Sequence, residues 1–290
     1  MRNYVSLIID IEKSRKYKIE ERNEIQNFMS SCVEKLNCLF ENNMERSVMF
    51  SAGDELQGLF ADITTAILYF RLFEILMSPV NVRAGIGIGE WTVKVEHGLS
   101  TQQDGPAYHK ARKTIGDVHK MQLQNVRICS DADDILANHL INSSVSLKRQ
   151  QIHMQNMVLT ILELVYPFVT AKMKEPDGNV VRELLTNKLS YRLGAGKYGK
   201  MRSDEKLSEE KKINISKVQI VTPIIIDGKI TEAEDAVLIK NTSSTISEIL
   251  GCTRQNVETI MKRGNANKIR ELDFMALQFV EKMYGGAQWI

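Results

Sequence analysis

The fold is decided by two stretches, Tyr4-Val5-Ser6-Leu7-Ile8-Ile9-Asp10-Ile11 and Ser47-Val48-Met49-Phe50-Ser51-Ala52-Gly53-Asp54-Glu55-Leu56-Gln57-Gly58-Leu59-Phe60. The first has the length and apolar character of a buried β-strand, and a carboxylate stands near its end. The second has the pattern of a β-hairpin with Gly53-Asp54 at its turn, because Gly and Asp are the usual residues of tight turns. The sequence therefore predicts that Asp10 and Asp54 stand at strand ends.

The composition bounds the class of protein. A chain of 290 residues, 43% hydrophobic and 26% charged, is typical of a soluble globular protein with two or three domains. The net charge of +2 gives no whole-protein argument for nucleic acid binding. The four cysteines have no metal or redox spacing, which favours reduced thiols: Cys32, Cys38, Cys129 and Cys252. With no signal peptide and no membrane-spanning stretch, we expect a cytoplasmic protein without membrane contact.

Residues 1–130 are predicted to form one α+β domain. Helical periodicity covers 19–42 and 63–77, Pro79 stops the second helix, and 80–88 and 126–129 have the pattern of strands. A further helix is predicted to begin near Gly105. The order strand, helix, strand, strand, helix, strand is that of the ferredoxin-like βαββαβ arrangement. In that arrangement the first strand lies beside the hairpin, so Asp10 is expected next to Asp54.

Two neighbouring carboxylates at strand ends indicate a metal site. Hard cations such as Mg²⁺ prefer oxygen ligands, and nucleotide chemistry uses carboxylates that share the metal. Asp10 could instead cap its strand, and Gly53-Asp54 could be only a hairpin turn. Gly85, Gly87 and Gly89 resemble a phosphate loop, but their alternation with apolar residues favours a closely packed strand.

Residues 131–212 are predicted to form a helical connector and a charged linker. Apolar stripes at 154–168 and 179–193 have helical spacing and indicate core or dimer contacts. The segment 194–200 nearly matches a phosphate-binding loop, but Met201 replaces the Ser or Thr that such a loop needs. A basic, glycine-rich linker that continues through 203–212 is the preferred interpretation.

Residues 213–290 are predicted to form an all-helical domain with a helix-turn-helix. Gly251 would make the turn, Thr253 would cap the second helix, and Val257 would face the core. The outward side chains suit base edges and phosphates of DNA: Thr253, Arg254, Gln255, Asn256, Lys262 and Arg263. The alternative is a protein-binding module of the same shape. The helix at 269–284 is predicted to support packing or dimerisation.

Several motifs together resemble the SatD family. The segment Gly53-Asp54-Glu55-Leu56-Gln57-Gly58-Leu59 matches the family's Gly-Asp-Glu-Phe-Gln-Gly-Leu motif except at Leu56. Further matching segments are Ser14-Arg15, Arg83 to Gly89, Asp104 to Ala107 and Ala111-Arg112. The same landmarks resemble, more remotely, class III nucleotidyl cyclases and the GGDEF-type palm domains.

This resemblance implies roles for particular residues. Asp10, the backbone of Ile11 and Asp54 would bind Mg²⁺, with Mn²⁺ as the alternative ion. Ser14, Gly53 and Glu55 would belong to the nucleotide site, although Glu55 could equally be a solvated strand residue. His109 stands where a cyclase has its ribose-orienting asparagine. Lys113, or Arg112 after a shift of one residue, stands where a cyclase has the arginine that stabilises phosphoryl charge.

Two hypotheses about function follow. In the preferred one, the chain is a DNA-binding transcription regulator whose cyclase-like domain binds a nucleotide triphosphate or cyclic nucleotide with Mg²⁺. In the alternative, it is a nucleotidyl cyclase or related nucleotidyltransferase that uses two Mg²⁺ ions. The first is preferred because the recognition helix is complete, whereas lysine cannot fork onto phosphate as arginine does. Both classes usually work as pairs, so a homodimer is expected.

Overall fold

A five-stranded mixed sheet forms the centre of the first half of the chain in the computed structural model, which describes residues 2–191, 193 and 213–286. Its strands are β1 Tyr4–Ile11, β2 Met44–Ala52, β3 Glu55–Phe60, β4 Val82–Gly89 and β5 Val126–Cys129. The strand order is β2-β3-β1-β4-β5, and only the β4–β5 pair is parallel. The hairpin therefore lies directly beside β1, as the sequence predicted.

The two faces of the sheet are covered by different helices. Helices α1 (Ile19–Phe40) and α2 (Ile63–Met77) pack on the face that carries the odd-numbered residues of β1, in one large apolar core. Helix α3 (Pro106–Val118) packs on the opposite face, where Ile8 contacts Ala111 and Ile115. The structure thus assigns Asp10 to the α3 face, because side chains alternate along a strand.

Helix α3 lies unusually close to β4. A Cβ atom at Gly85 would stand 2.4 Å from the backbone nitrogen of Ile115, and one at Gly87 would stand 2.2 Å from the carbonyl oxygen of Ala107. Both distances are far inside van der Waals contact, so only glycine allows this packing. The prediction of a closely packed glycine strand is confirmed.

The second half of the chain is mostly helical. Within the described residues its helices are α4 Ile135–Ile141, α5 Val145–Arg149, α6 His153–Val165, α7 Gly178–Ser190, α8 Ala233–Val237, α9 Thr242–Leu250, α10 Arg254–Arg263 and α11 Ala266–Tyr284. Two short strands, β6 Phe168–Thr170 and β7 Ile224–Ile226, pair in parallel. The prediction of an all-helical region was therefore wrong. Three-residue strands are too short to produce a recognisable alternation.

A buried cluster of charges ties α2, α6 and α11 together. Arg71 on α2 donates to both carboxylate oxygens of Glu163 on α6, at 2.5 and 2.7 Å, and to Asp273 on α11 at 2.6 Å. Arg270 lies 2.7 Å from Glu163 and donates to the carbonyl oxygen of Tyr166 at 2.6 Å. Arg71, Glu163, Arg270 and Asp273 are all buried. These contacts hold the C-terminal helix against the sheet-covering helix α2.

Asparagine side chains lie along both outer strands. On β5, the side-chain amides of Asn138 and Asn142 each accept from and donate to one residue, Ile128 and Val126 respectively, at 2.6 to 3.2 Å. On β2, Asn37 of α1 makes the same two-way contact with Val48, at 2.8 and 3.3 Å. These asparagine side chains thereby satisfy backbone groups of β2 and β5 that have no partner on a neighbouring strand.

The loop-like segment 194–200 and the charged segment 203–212 lie outside the described residues. Within the described ranges, none of the helices has both the length and the apolar character that crossing a membrane requires.

Candidate functional site at the end of the first strand

Asp10 lies near the end of β1, between two basic side chains. Its Oδ2 accepts from Nη2 of Arg83 at 2.8 Å and from Nε at 3.2 Å, because Arg83 stands directly opposite it on β4. Nε2 of His119, just after α3, lies 3.0 Å from the same oxygen. Both partners contact the same oxygen, Oδ2. The carboxylate and Arg83 are mostly buried, at 16% and 18% side-chain exposure.

The cross-strand register separates the two predicted metal ligands. Leu56 pairs with Ile9, so continuation of the ladder places Glu55 opposite Asp10 and Asp54 opposite Ile11. Since Ile11 belongs to the core between the sheet and α1, Asp54 points toward the α1 face. The strand ends are adjacent, as predicted, but the carboxylate on the same face as Asp10 is Glu55.

Glu55 is engaged by Arg112 of α3. The guanidinium binds both carboxylate oxygens, one of them at 2.8 Å, and Oγ of Ser51 donates to Oε1 at 2.5 Å. Burial opposes ionisation, but the hydrogen bonds from Arg112 and Ser51 outweigh it and lower the pKa of Glu55. Glu55 is therefore not a loosely solvated strand residue, since it anchors Arg112 at the end of the sheet.

Asp54 faces a separate cavity of about 200 Å³ on the other side of the sheet. The cavity lies between the turn after β1, the start of α1 and the hairpin, and Ser14, Arg22 and Gln26 line it together with Asp54. Oδ2 of Asp54 is buried there without a hydrogen-bond partner in the described part of the chain. A buried carboxylate oxygen normally has a hydrogen-bond partner, so Oδ2 of Asp54 is free to accept one.

The backbone around this cavity is held in place. Gly53 adopts a left-handed conformation (φ +59°), and its carbonyl oxygen accepts from the Gln26 side chain at 3.3 Å. Arg22 donates to the carbonyl oxygens of Tyr17 and Arg15, both at 3.0 Å. These contacts fix the hairpin turn and the turn after β1 on opposite sides of the cavity.

The α3 residues predicted to orient the ribose or to stabilise phosphate charge lie on the face of the sheet opposite the Asp54 cavity. His109 is exposed and its Nε2 lies 2.9 Å from Asp104, while Lys113 is exposed. Arg112 is bound to Glu55. Within 2–191, 193 and 213–286, no group of three or more His, Cys, Asp or Glu side chains is arranged to hold a metal ion. A cation here would need ligands beyond the protein, as Mg²⁺ usually has.

Helix α10 carries the second predicted site. Oγ1 of Thr253 accepts from the backbone of Asn256 at 3.2 Å, which confirms it as the N-cap. Gly251, in the left-handed conformation (φ 62°), makes the preceding turn, and Val257 and Met261 are buried. The side chains predicted to contact DNA are all exposed: Thr253, Arg254, Gln255, Asn256, Lys262 and Arg263.

Sequence reasoning missed how Asp10 is neutralised. Arg83 was recognised only as part of a motif. The signal for Arg83 was available, because antiparallel pairing of the first and fourth strands puts a residue before Gly85 opposite the end of β1. His119 follows a helix end, whose position the sequence did not fix.

Comparisons with known proteins identify the family of this chain. The model of the SatD family matches residues 4–175, which is more than half of the chain and includes both carboxylate sites. A search of curated proteins found no match. Because the family model spans the whole five-stranded sheet and continues through α6 and β6, the chain belongs to the SatD family.

Proposed function

We propose that this SatD-family chain is a cytoplasmic DNA-binding regulator whose sheet domain binds a nucleotide together with Mg²⁺. The observation that carries the proposal is the exposed polar face of α10. Six side chains of types that recognise DNA stand on it, while Val257 and Met261 anchor its other side. The capped turn before this helix and the burial of its inner side support the proposal that α10 acts as a recognition helix.

The proposed division of roles follows residue chemistry. Arg254, Gln255 and Asn256 occupy the first turn of α10, from which a recognition helix reaches base edges. Lys262 and Arg263 occupy its last turn and suit phosphates. Arg254 donates to Glu258 at 2.7 Å, but both side chains are largely exposed, so the pair can open when DNA binds.

DNA binding can be measured first with a pool of random-sequence 30-bp duplexes at low salt, and then with sequences selected from that pool. Lys262→Ala is expected to weaken binding to all sequences and to reduce the salt slope by about 1. Arg254→Ala combined with Gln255→Ala is expected to abolish the preference for selected sequences. Lys174→Ala, an exposed change outside α10, is the matched control. Selective binding that survives the double replacement would exclude base readout by α10.

The nucleotide site is proposed at the cavity that Asp54 faces. The unpartnered Oδ2 of Asp54 and the hydroxyl of Ser14 suit a hydrated Mg²⁺, which typically takes one or two carboxylates plus substrate phosphates and waters. Arg22 at the cavity wall would add charge toward a phosphate. Asp10 lies on the opposite face of the sheet and does not line this cavity, so the site is proposed with Asp54 as its carboxylate.

Binding of ATP and GTP can be followed by calorimetry with and without Mg²⁺. We expect Asp54→Asn to remove the Mg²⁺-dependent part of the affinity, about tenfold or more, because a single neutral oxygen replaces a carboxylate. Glu175→Gln, an exposed change away from the sheet end, should leave the affinity unchanged. Equal nucleotide affinity in both variants would contradict the site.

A second candidate function is nucleotidyl cyclase or nucleotidyltransferase activity. The strand order β2-β3-β1-β4, which is that of the ferredoxin-like palm, favours it together with the orphaned Asp54 oxygen. Against it, Arg112 is bound by Glu55 and Lys113 lacks the fork geometry of arginine. Incubation of the purified protein with the four ribonucleotide triphosphates and Mg²⁺ or Mn²⁺ distinguishes the enzyme from the regulator. A product that disappears in Asp54→Ala would make the enzyme the better hypothesis.

A further inference from the structure

A cavity of about 480 Å³ lies behind the exposed face of α10, between α6, α9, α10 and α11. Its volume lies within the range of small-molecule sites, about 300–1,000 Å³. Part of its lining is apolar and includes Leu162, Leu238 and Met261. Leu238 is half exposed, so part of its side chain is open to a ligand.

Positively charged side chains also line the cavity. They are Arg254, Lys262 and Lys268, against one carboxylate, Glu258. Hydrogen bonds from Arg254 and Ser243 lower the pKa of Glu258, so this carboxylate stays ionised and neutralises one of the three cations. Lys268 is paired with Glu271 at 2.9 Å. Lys262 has no ion pair among the described residues, and it therefore supplies an available charge.

Neutral donors stand beside these cations at the start of α9. Asn241, Thr242 and Ser243 line the cavity, and Oγ of Ser243 reaches across it to Glu258 at 3.1 Å. Arg270 contributes to the base of the cavity, where Glu163 already balances its charge. The cavity therefore combines an apolar part, hydroxyl and amide groups, and a net positive charge.

We propose that this cavity binds a small organic anion whose carboxylate or phosphate contacts Lys262 and Arg254 and whose apolar part packs on Leu162 and Leu238. Ordered polar groups around an apolar body are typical of specific small-molecule sites. The inference goes beyond the proposed function and does not require it, because ligand binding can be measured without DNA.

Two cations, Arg254 and Lys262, belong both to the cavity and to the exposed face of α10. An anion that draws both side chains inward removes them from the outer face. If α10 binds DNA, the anion and DNA therefore compete for the same two charges, and each lowers the affinity for the other by the same factor.

Phenyl phosphate and benzyl alcohol form a suitable pair of probes, because they share an aromatic ring and differ in charge. Calorimetric titration of the full chain is expected to give a Kd of about 1 mM for phenyl phosphate, in line with its size, and at least tenfold weaker binding of benzyl alcohol. Lys262→Met should raise the Kd for phenyl phosphate about tenfold, because a charged hydrogen bond is lost.

Lys282→Met is the matched control, since Lys282 is an exposed lysine of α11 that does not line the cavity. It should leave the Kd for phenyl phosphate unchanged. The proposal is overturned if Lys262→Met and Lys282→Met bind the probe equally, if benzyl alcohol binds as tightly as phenyl phosphate, or if no saturable binding occurs up to about 10 mM. Failure of DNA binding with retained phenyl phosphate binding would affect only the proposed function.

Discussion

Two of the arginine–carboxylate systems among the described residues differ in their access to solvent. In the cluster between α2, α6 and α11, Arg71 and Glu163 have side-chain exposures of 7% and 1%. At the end of the sheet, Arg112 is 53% exposed and His119 is 44% exposed. Charges that water cannot reach cannot change partners without a large penalty, whereas exposed ones can. The first system therefore serves structure, and the second is suited to ligand exchange.

The largest effect is expected for Arg71→Met. The substitution leaves Glu163 and Asp273 buried with less positive charge beside them, and breaking a buried ion pair in this way costs about 3–5 kcal/mol. Urea unfolding at pH 7 measures the loss. Lys268→Met, which breaks an exposed pair, should change the free energy of unfolding by less than about 0.5 kcal/mol. Similar unfolding midpoints for the two variants would show that the buried cluster contributes no more to stability than an exposed ion pair.

A smaller effect, with a pH signature, is expected from Lys188 on α7. Its buried ammonium donates to the carbonyl oxygens of Leu76 and Ser78, at 2.7 and 2.5 Å, and burial lowers its pKa from 10.5 to about 7. Between pH 7 and 9 the unfolded chain holds a proton that the folded chain has released. The free energy of unfolding should therefore rise with pH, by about 2–3 kcal/mol over this window.

Lys188→Met isolates this contribution, because methionine does not titrate. Its unfolding free energy should lack the rise between pH 7 and 9, whatever constant loss the substitution brings. Burial raises the pKa of the neighbouring Cys32 from 9.0 to about 12, so the thiol lowers stability mainly as the pH rises past 9, at the upper edge of this window. Parallel pH profiles of the two proteins would show that Lys188 titrates normally.

The smallest effect is expected at the sheet end. Arg83→Met removes one partner of Asp10, and we expect a loss of about 1–2 kcal/mol, because solvent reaches this pair more than the buried cluster and His119 still contacts Asp10. Urea unfolding of Arg83→Met, run in parallel with Arg71→Met, measures this loss in the free energy of unfolding. A loss as large as that of Arg71→Met would mean that the sheet-end charges are as rigidly structural as the buried cluster.

Local elements of the fold were readable from the sequence. The apolar run at β1, the hairpin signal of Gly53-Asp54 and the glycines of β4 each depend on neighbours in the chain, and each was predicted correctly. The Thr253 cap was readable for the same reason, since it bonds to Asn256 only three residues later. The three-residue strands at 168–170 and 224–226 were missed, because only their pairing with each other defines them.

The location of the candidate site was predictable from the sequence, but the orientation of its side chains was not. The sequence indicated that Asp10 and Asp54 stand at adjacent strand ends, yet the exact register decides which face each carboxylate takes. The buried cluster could not be predicted at all. Arg71 and Glu163 lie 92 residues apart, and isolated charged residues normally indicate an exposed surface.

The asparagines along β2 and β5 have a consequence for assembly. An outer strand with free backbone groups invites a strand from another molecule, but Asn138 and Asn142 already occupy those groups on β5, and Asn37 does so at Val48. Joining two sheets edge to edge would first require the side-chain amides to be displaced. If two copies of the chain associate, as the sequence predicts, the contact is therefore expected between helices rather than through a continuous intermolecular sheet.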